Sequence, residues 1–276
     1  MVHSFAEDNT NQLLMKVLKD MEAYQDNTVL IGGWLPYIYT HFVWKNAGTT
    51  RIVFTSDIDY AVRENFGFKG VPLTDMFLNK KHYVKEKIFK DEDTPFGFIV
   101  KDGELKMKID FISHEYMDPH LIEKVAGKGV EVAPIEHTDI LLDTANLMTV
   151  SVTIGSETAK VSIPVPAAYL YLKGITCSER EIKRRGYKFK KDLWSIYFVA
   201  QHTPEHERTE LYARMRAYKE KDPKLFEAFR LNLREYFKSE KARGPKAVEE
   251  LVNRKGIHSA KMAYNAVKTL LDNVID

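Results

Sequence analysis

Apolar positions recur at helical spacing over residues 11 to 24, where Leu13, Leu14, Val17, Leu18 and Met21 share one stripe and predict an amphipathic helix. The run "NTVLIGG" that follows is a short buried strand stopped by two glycines. "WLPYIYTHFVW" returns to helical spacing, with Pro36 early enough to sit in the first turn. Alternating apolar and polar positions then predict strands over 51 to 62, 84 to 90, 96 to 101 and 105 to 112, and Asp102-Gly103 between the last two marks a two-residue hairpin. A second hairpin spans "LMTVSVTIGSETAKVSIPV". From Pro166 onward the pattern is helical, with helices expected over 167 to 176, 190 to 201, 205 to 219, 223 to 239, 245 to 253 and 258 to 274. The expected fold class is α+β: a mixed sheet with flanking helices over residues 1 to 165, then a helical bundle over 166 to 276.

The chain has 276 residues, of which 44% are hydrophobic, enough to bury a substantial core. Its 41 basic and 39 acidic residues leave a formal charge of +2, so attraction to a polyanion has to come from local clustering. One cysteine, Cys177, excludes an intramolecular disulfide, and it reads as a small packed residue. The N-terminus is too polar for a signal peptide, and no apolar run approaches the length of a membrane span. A cytoplasmic protein without membrane partners is the expectation.

The stretch "IVFTSDIDYAV" breaks the apolar rule. Side chains alternate along a strand, so Asp57 and Asp59 share one face while Ile58, Tyr60 and Val62 share the other. Two carboxylates held side by side repel, and a cation between them relieves the repulsion. Oxygen donors of this kind suit Mg²⁺, with Mn²⁺ as the alternative, together with substrate phosphates. A third carboxylate, Asp110, stands opposite the apolar residues of "LKMKIDFIS", where Met107, Ile109 and Phe111 alternate with Lys106, Lys108 and Asp110. Should the two strands pair, three carboxylates meet on one face, and the third can take a proton from an attacking hydroxyl. Gly32 and Gly33 end a strand and open a helix, which leaves backbone N–H groups for a phosphate.

This combination of Gly-Gly after an apolar strand, Ser-Asp-Ile-Asp on the next and a later Asp resembles the polymerase β-like nucleotidyltransferase superfamily. The resemblance implies nucleotide binding by Gly32, Gly33 and Ser56, metal binding by Asp57, Asp59 and Asp110, and transfer of a nucleoside monophosphate from an NTP, ATP among them, to a hydroxyl with release of pyrophosphate. Trp34 departs from the Ser or Thr that often follows the glycine pair, and "KNAGTTR" has the look of an inserted loop.

"PVPAAYLYLKGITCSEREIKRRGYKFKKDLWSIYF" is similar to the helical part of the AbiEii-type toxin nucleotidyltransferases of bacterial toxin–antitoxin systems, where a Pro-led helix bears a Lys and the next begins with Lys-Asp or Arg-Asp. The matching residues are Lys173 and Lys191-Asp192, and the resemblance covers about two thirds of the chain, ending near Glu205. It implies catalytic roles for Lys173 and Asp192, Lys173 neutralising the triphosphate, and a cognate antitoxin as partner.

Residues 178 to 192 hold seven basic side chains against three acidic ones, with Tyr187 and Phe189 interleaved. Arg184, Arg185, Lys188 and Lys190 are the candidates for nucleic-acid binding, charge meeting phosphate and rings meeting bases. A solvated face or a second contact for the triphosphate accounts for the same cluster. The acceptor therefore stays open among a tRNA 3′ end or another RNA, a protein side chain and a small molecule, and a catalytically silent nucleotide-binding member is the reading from a different class.

Overall fold

The computed structural model describes residues 5–46, 55, 57–63, 68, 70–87, 96–182, 186–252 and 260–274. The fold is α+β. By internal contacts the chain divides into two compact units, Met1–Ile38 with Phe54–Pro164, and Tyr39–Val53 with Val165–Asp276. The segment Tyr39–Val53 thus belongs with the helical residues, whereas the expected division ran unbroken from 1 to 165.

In the first unit, helix α1 (Phe5–Met21) leads through a short turn into β1 (Thr28–Ile31), whose four residues are all buried. A 3₁₀ turn over Gly32–Trp34 precedes α2 (Leu35–Ile38), and β2 (Asp57–Val62), α3 (Leu73–Leu78), β3 (Tyr83–Lys87), β4 (Phe96–Asp102) and β5 (Leu105–His114) follow. Then come α4 (Pro119–Ala126), β6 (Val132–Ile135), α5 (Asp139–Leu142), β7 (Leu147–Ile154) and β8 (Glu157–Pro164). The main sheet runs β1-β2-β5-β4-β3, with β6 joining β5 in parallel at its far end, while β7 and β8 form a separate antiparallel hairpin.

Alternation decides which face of this sheet is buried. Ile58 and Tyr60 of β2, Met107, Ile109 and Phe111 of β5, and Phe98 and Val100 of β4 are at most 2% exposed. Leu13, Leu14, Val17, Leu18 and Met21 of α1 are buried as well, the stripe that the spacing predicts. Phe77 of α3 sets its ring 4.3 Å from Tyr83 and 4.8 Å from Phe98, which closes the apolar side near β3. The hairpin between β4 and β5 turns at Gly103-Glu104, one residue later than Asp102-Gly103, because Asp102 pairs with Leu105 and Gly103 takes the positive φ of +59°.

Helices α3, α4 and α5 and strand β6 were not expected from the sequence. Each is four to eight residues long, too short for a periodicity to declare itself. Helix α4 did carry a local signal: the Asp118 side chain accepts a 2.9 Å hydrogen bond from the His120 backbone N–H, with Pro119 in the first turn.

The second unit contains α6 (Pro166–Ile182), α7 (Gly186–His202), α8 (Glu205–Lys221), α9 (Pro223–Tyr236), α10 (Arg243–Val252) and α11 (Ala260–Val274). A π-helical stretch, Tyr39–Val43, belongs here too: Tyr39 lies 6.0 Å from the Tyr169 ring, and Trp44 stacks on Phe198 at 5.5 Å while its indole N–H donates to Glu207 at 2.9 Å. Among the described residues no helix is long and apolar enough to cross a membrane.

Candidate active site

Strands β2 and β5 run parallel in a register that sets Asp57 beside Lys108 and Asp59 beside Asp110. Residues paired in this way point to the same face, so the three expected carboxylates stand on one side of the sheet and Lys108 stands among them. All three Asp residues are partly exposed, while Ile58, Tyr60, Ile109 and Phe111 between them are buried. The Lys108 ammonium lies 2.8 Å from Asp110 Oδ1, and that hydrogen bond raises its pKa above the ordinary lysine value against the opposing effect of desolvation.

The glycine turn lies directly on this face. Gly32 follows β1, whose last residue, Ile31, pairs with Asp59. Its φ is +79°, and a Cβ built there falls 1.9 Å from Asp59 Oδ2, so only a residue without a side chain lets the backbone come so close to the carboxylate. Gly33 is also tight, its Cβ position lying 2.8 Å from Thr55 Cβ. The expected helix dipole behind this turn is weaker than the sequence suggests, because the turn is 3₁₀ and α2 is only four residues long. Trp34 is 1% exposed and meets Tyr37 edge-on at 5.8 Å, so its bulk goes into the core. Ser56 lies outside the described residues.

Oxygen donors on one face, with backbone pressed against one of them, fit a hard divalent ion in chemical type. Asp57, Asp59 and Asp110 would hold it. Among the described residues, no three His, Cys, Asp or Glu side chains are gathered closely enough to hold an ion as they stand. The Asp110 carboxylate is turned to Lys108.

In the helical unit, Lys173 of α6 donates to Asp192 Oδ1 at 2.7 Å, and Arg180 Nε stands 2.8 Å from Asp192 Oδ2, off the hydrogen-bonding direction. The Asp192 side chain is 1% exposed, a buried carboxylate held between two cations of the preceding helix. Cys177, on the same helix, is buried, and desolvation pushes its thiol up to about 12, which makes it inert as a nucleophile.

The basic stretch is divided by its surroundings. Arg184 and Arg185 lie outside the described residues. Lys188 is exposed, and Tyr187, 61% exposed, has the Lys191 ammonium 5.8 Å from its ring centre. Lys190 is partly exposed and paired with Glu250, while Phe189 is buried edge-on to Tyr236, so its ring is not open to a base as expected.

Sequence reasoning missed two residues in these clusters. Lys108 alternates with Asp110 on the same strand face, a signal present in "LKMKID" but read only as polar spacing. Arg180 lies seven residues after Lys173, two helical turns along the same face, which is the spacing at which both can reach one carboxylate.

No curated protein matches the chain. Among solved structures, an antigenic nucleotidyltransferase-like protein from Paracoccidioides brasiliensis is similar at 16% identity and a TM-score of 0.40, over 79% of this chain and 92% of that one. A family model described as nucleotidyltransferase matches residues 11–219, a span that takes in the glycine turn, all three carboxylates and the Lys173–Asp192 pair, and the chain therefore belongs to that nucleotidyltransferase family.

Proposed function

We propose that the protein transfers a nucleoside monophosphate from an NTP to a hydroxyl of RNA, with a tRNA 3′ end as the acceptor, using Mg²⁺ held by Asp57, Asp59 and Asp110. The observation that carries the reading is the parallel register that pairs Asp59 with Asp110 under the backbone of Gly32. When bound, Mg²⁺ supplies neutralisation of the triphosphate oxygens and polarisation of the α-phosphorus.

The acceptor oxygen attacks the α-phosphorus, the bond to the bridging oxygen breaks, and pyrophosphate leaves with the electron pair. The hydroxyl proton passes to the Asp110 carboxylate. Gly32 and Gly33 offer backbone N–H groups at a point where no side chain intervenes, which suits a phosphate beside Asp59. Lys173 is the candidate for neutralising further triphosphate charge, with Asp192 as its positioning partner at 2.7 Å. Tyr187 and Lys188, exposed side by side, favour a polynucleotide acceptor over a small molecule. The similarity of the segment around Lys173 and Asp192 to AbiEii-type toxins supports a toxin partnered by an antitoxin.

The test is incubation with each α-phosphate-labelled NTP, Mg²⁺ and total RNA. Label on RNA that disappears with Asp59→Asn supports the proposal. Label on protein alone moves the acceptor to a side chain, and NTP binding without pyrophosphate release identifies a silent member.

A further inference from the structure

Lys108 brings a cation onto the carboxylate face of the sheet. Asp57, Asp59 and Asp110 carry three negative charges when ionised, and Lys108 supplies one positive charge at the same level. Its ammonium is 2.8 Å from Asp110 Oδ1, and its backbone position is paired with Asp57 on one side and with Ile99 of β4 on the other. Beside it, β4 presents Gly97, where a Cβ would stand 3.8 Å from Lys108 Cε, and beyond Gly97 its partner in register on β3 is Glu86. Glu86 and Glu131 also attract this ammonium, so Lys108 is a cation set among carboxylates.

We propose that Lys108 is the resident counter-ion of the carboxylate face, holding Asp110 while no metal is bound and setting how many divalent ions the face admits before nucleotide arrives. A metal that uses Asp110 has to displace the ammonium, which raises the ion concentration needed to fill the site. The displaced ammonium then lies within a flexible four-carbon reach of the same face, where an incoming phosphate meets it as a point charge. A plain surface ion pair has neither consequence. This rests on the reading of the face as the metal site of the transferase.

The test uses the full chain and Mn²⁺ alone, with free ion followed by its paramagnetic resonance signal. Lys108→Met removes the charge at similar length, and Lys108→Arg keeps it. The expected result is that Lys108→Met binds Mn²⁺ about three- to tenfold more tightly or takes a second ion, as removal of a partly screened charge should give, while Lys108→Arg behaves as the parent. In transfer assays the Mn²⁺ concentration for half-maximal rate should fall by the same factor, and the NTP KM should rise. Lys108→Gln repeats the measurement should the Met variant fold poorly. Unchanged Mn²⁺ affinity and stoichiometry in the charge-removing variants overturns the counter-ion role while leaving the metal site in place. Parent protein that binds no Mn²⁺, or binds it equally well after Asp59→Asn, overturns the metal-site reading and this proposal with it.

Discussion

Asp59 and Asp110 are direct neighbours across the parallel pairing of β2 with β5, although fifty-one positions apart in the chain. Each strand brings one carboxylate to the open face and apolar residues to the buried one, so substitution of either Asp leaves the core untouched. Asp59→Asn and Asp110→Asn should each lower transfer by at least about a hundredfold. Thermal melts without metal should show Asp59→Asn as stable as the parent or slightly more so, since like-charge repulsion is relieved, and Asp110→Asn within about 1 kcal/mol of the parent, since that relief is offset by loss of the partly exposed Lys108 pair. Near-normal label transfer by either variant would sink the assignment.

Gly32→Ala should disable nucleotide binding and the local fold together, because the new Cβ would collide with Asp59 Oδ2 and the backbone is held at φ +79°. Gly103→Ala at the hairpin tip is the matched control: its φ is also positive but nothing lies within 4 Å. It should cost about 1 kcal/mol of stability and leave NTP affinity unchanged. Calorimetry with NTP alongside urea titrations separates the two effects.

For the acceptor, Lys188→Ser should flatten the salt dependence of RNA binding by about 0.7 to 0.9 log–log units, as expected for one lost phosphate contact. Lys190→Ser should do less, because its ammonium is engaged with Glu250. Tyr187→Ala should weaken binding by about 1 to 3 kcal/mol if a base stacks there. Phe189→Ala should instead lower stability, its ring being buried against Tyr236. Equal salt slopes for Lys188→Ser and the parent would remove this stretch from the RNA site.

Asp192→Asn leaves Lys173 and Arg180 facing a neutral amide inside the helical unit. A loss of about 3 to 5 kcal/mol is expected from breaking a buried ion cluster on one side, measured by chemical denaturation. A loss under about 1 kcal/mol would show the cluster to be solvated in solution.

Acid should act on the sheet unit through Asp20. Burial raises its pKa, but hydrogen bonds from Lys80, Tyr83 and His82 outweigh that and hold it below the ordinary value of 3.8. Since the unfolded chain binds the proton first, this stabilisation is complete above the ordinary value, shrinks as pH falls beneath it and is gone below the native pKa. Urea denaturation of Asp20→Asn should therefore match the parent's stability near pH 2 more closely than at pH 6.

Local chemistry along the chain was enough for the α+β class, the first helix, both hairpins, the helical second half and the two-sided character of β2 and β5. These follow from periods of 3.6 and 2 and from turn residues, which act between near neighbours. The same alternation put Asp57, Asp59 and Asp110 on polar faces before any strand pairing was known. Which strands pair was another matter. The parallel register that brings Asp59 to Asp110 is set by burial of Ile58, Ile109 and Phe111 in one shared core, a condition that no single strand contains. Tertiary packing alone likewise turned Trp34 into the core, sent Lys190 to Glu250, buried Phe189 and assigned Tyr39–Val53 to the helical unit. Lys108 shows the division most plainly: its alternation with Asp110 is written in the sequence, but its standing as a cation among three carboxylates comes from the neighbouring strand that supplies the other two.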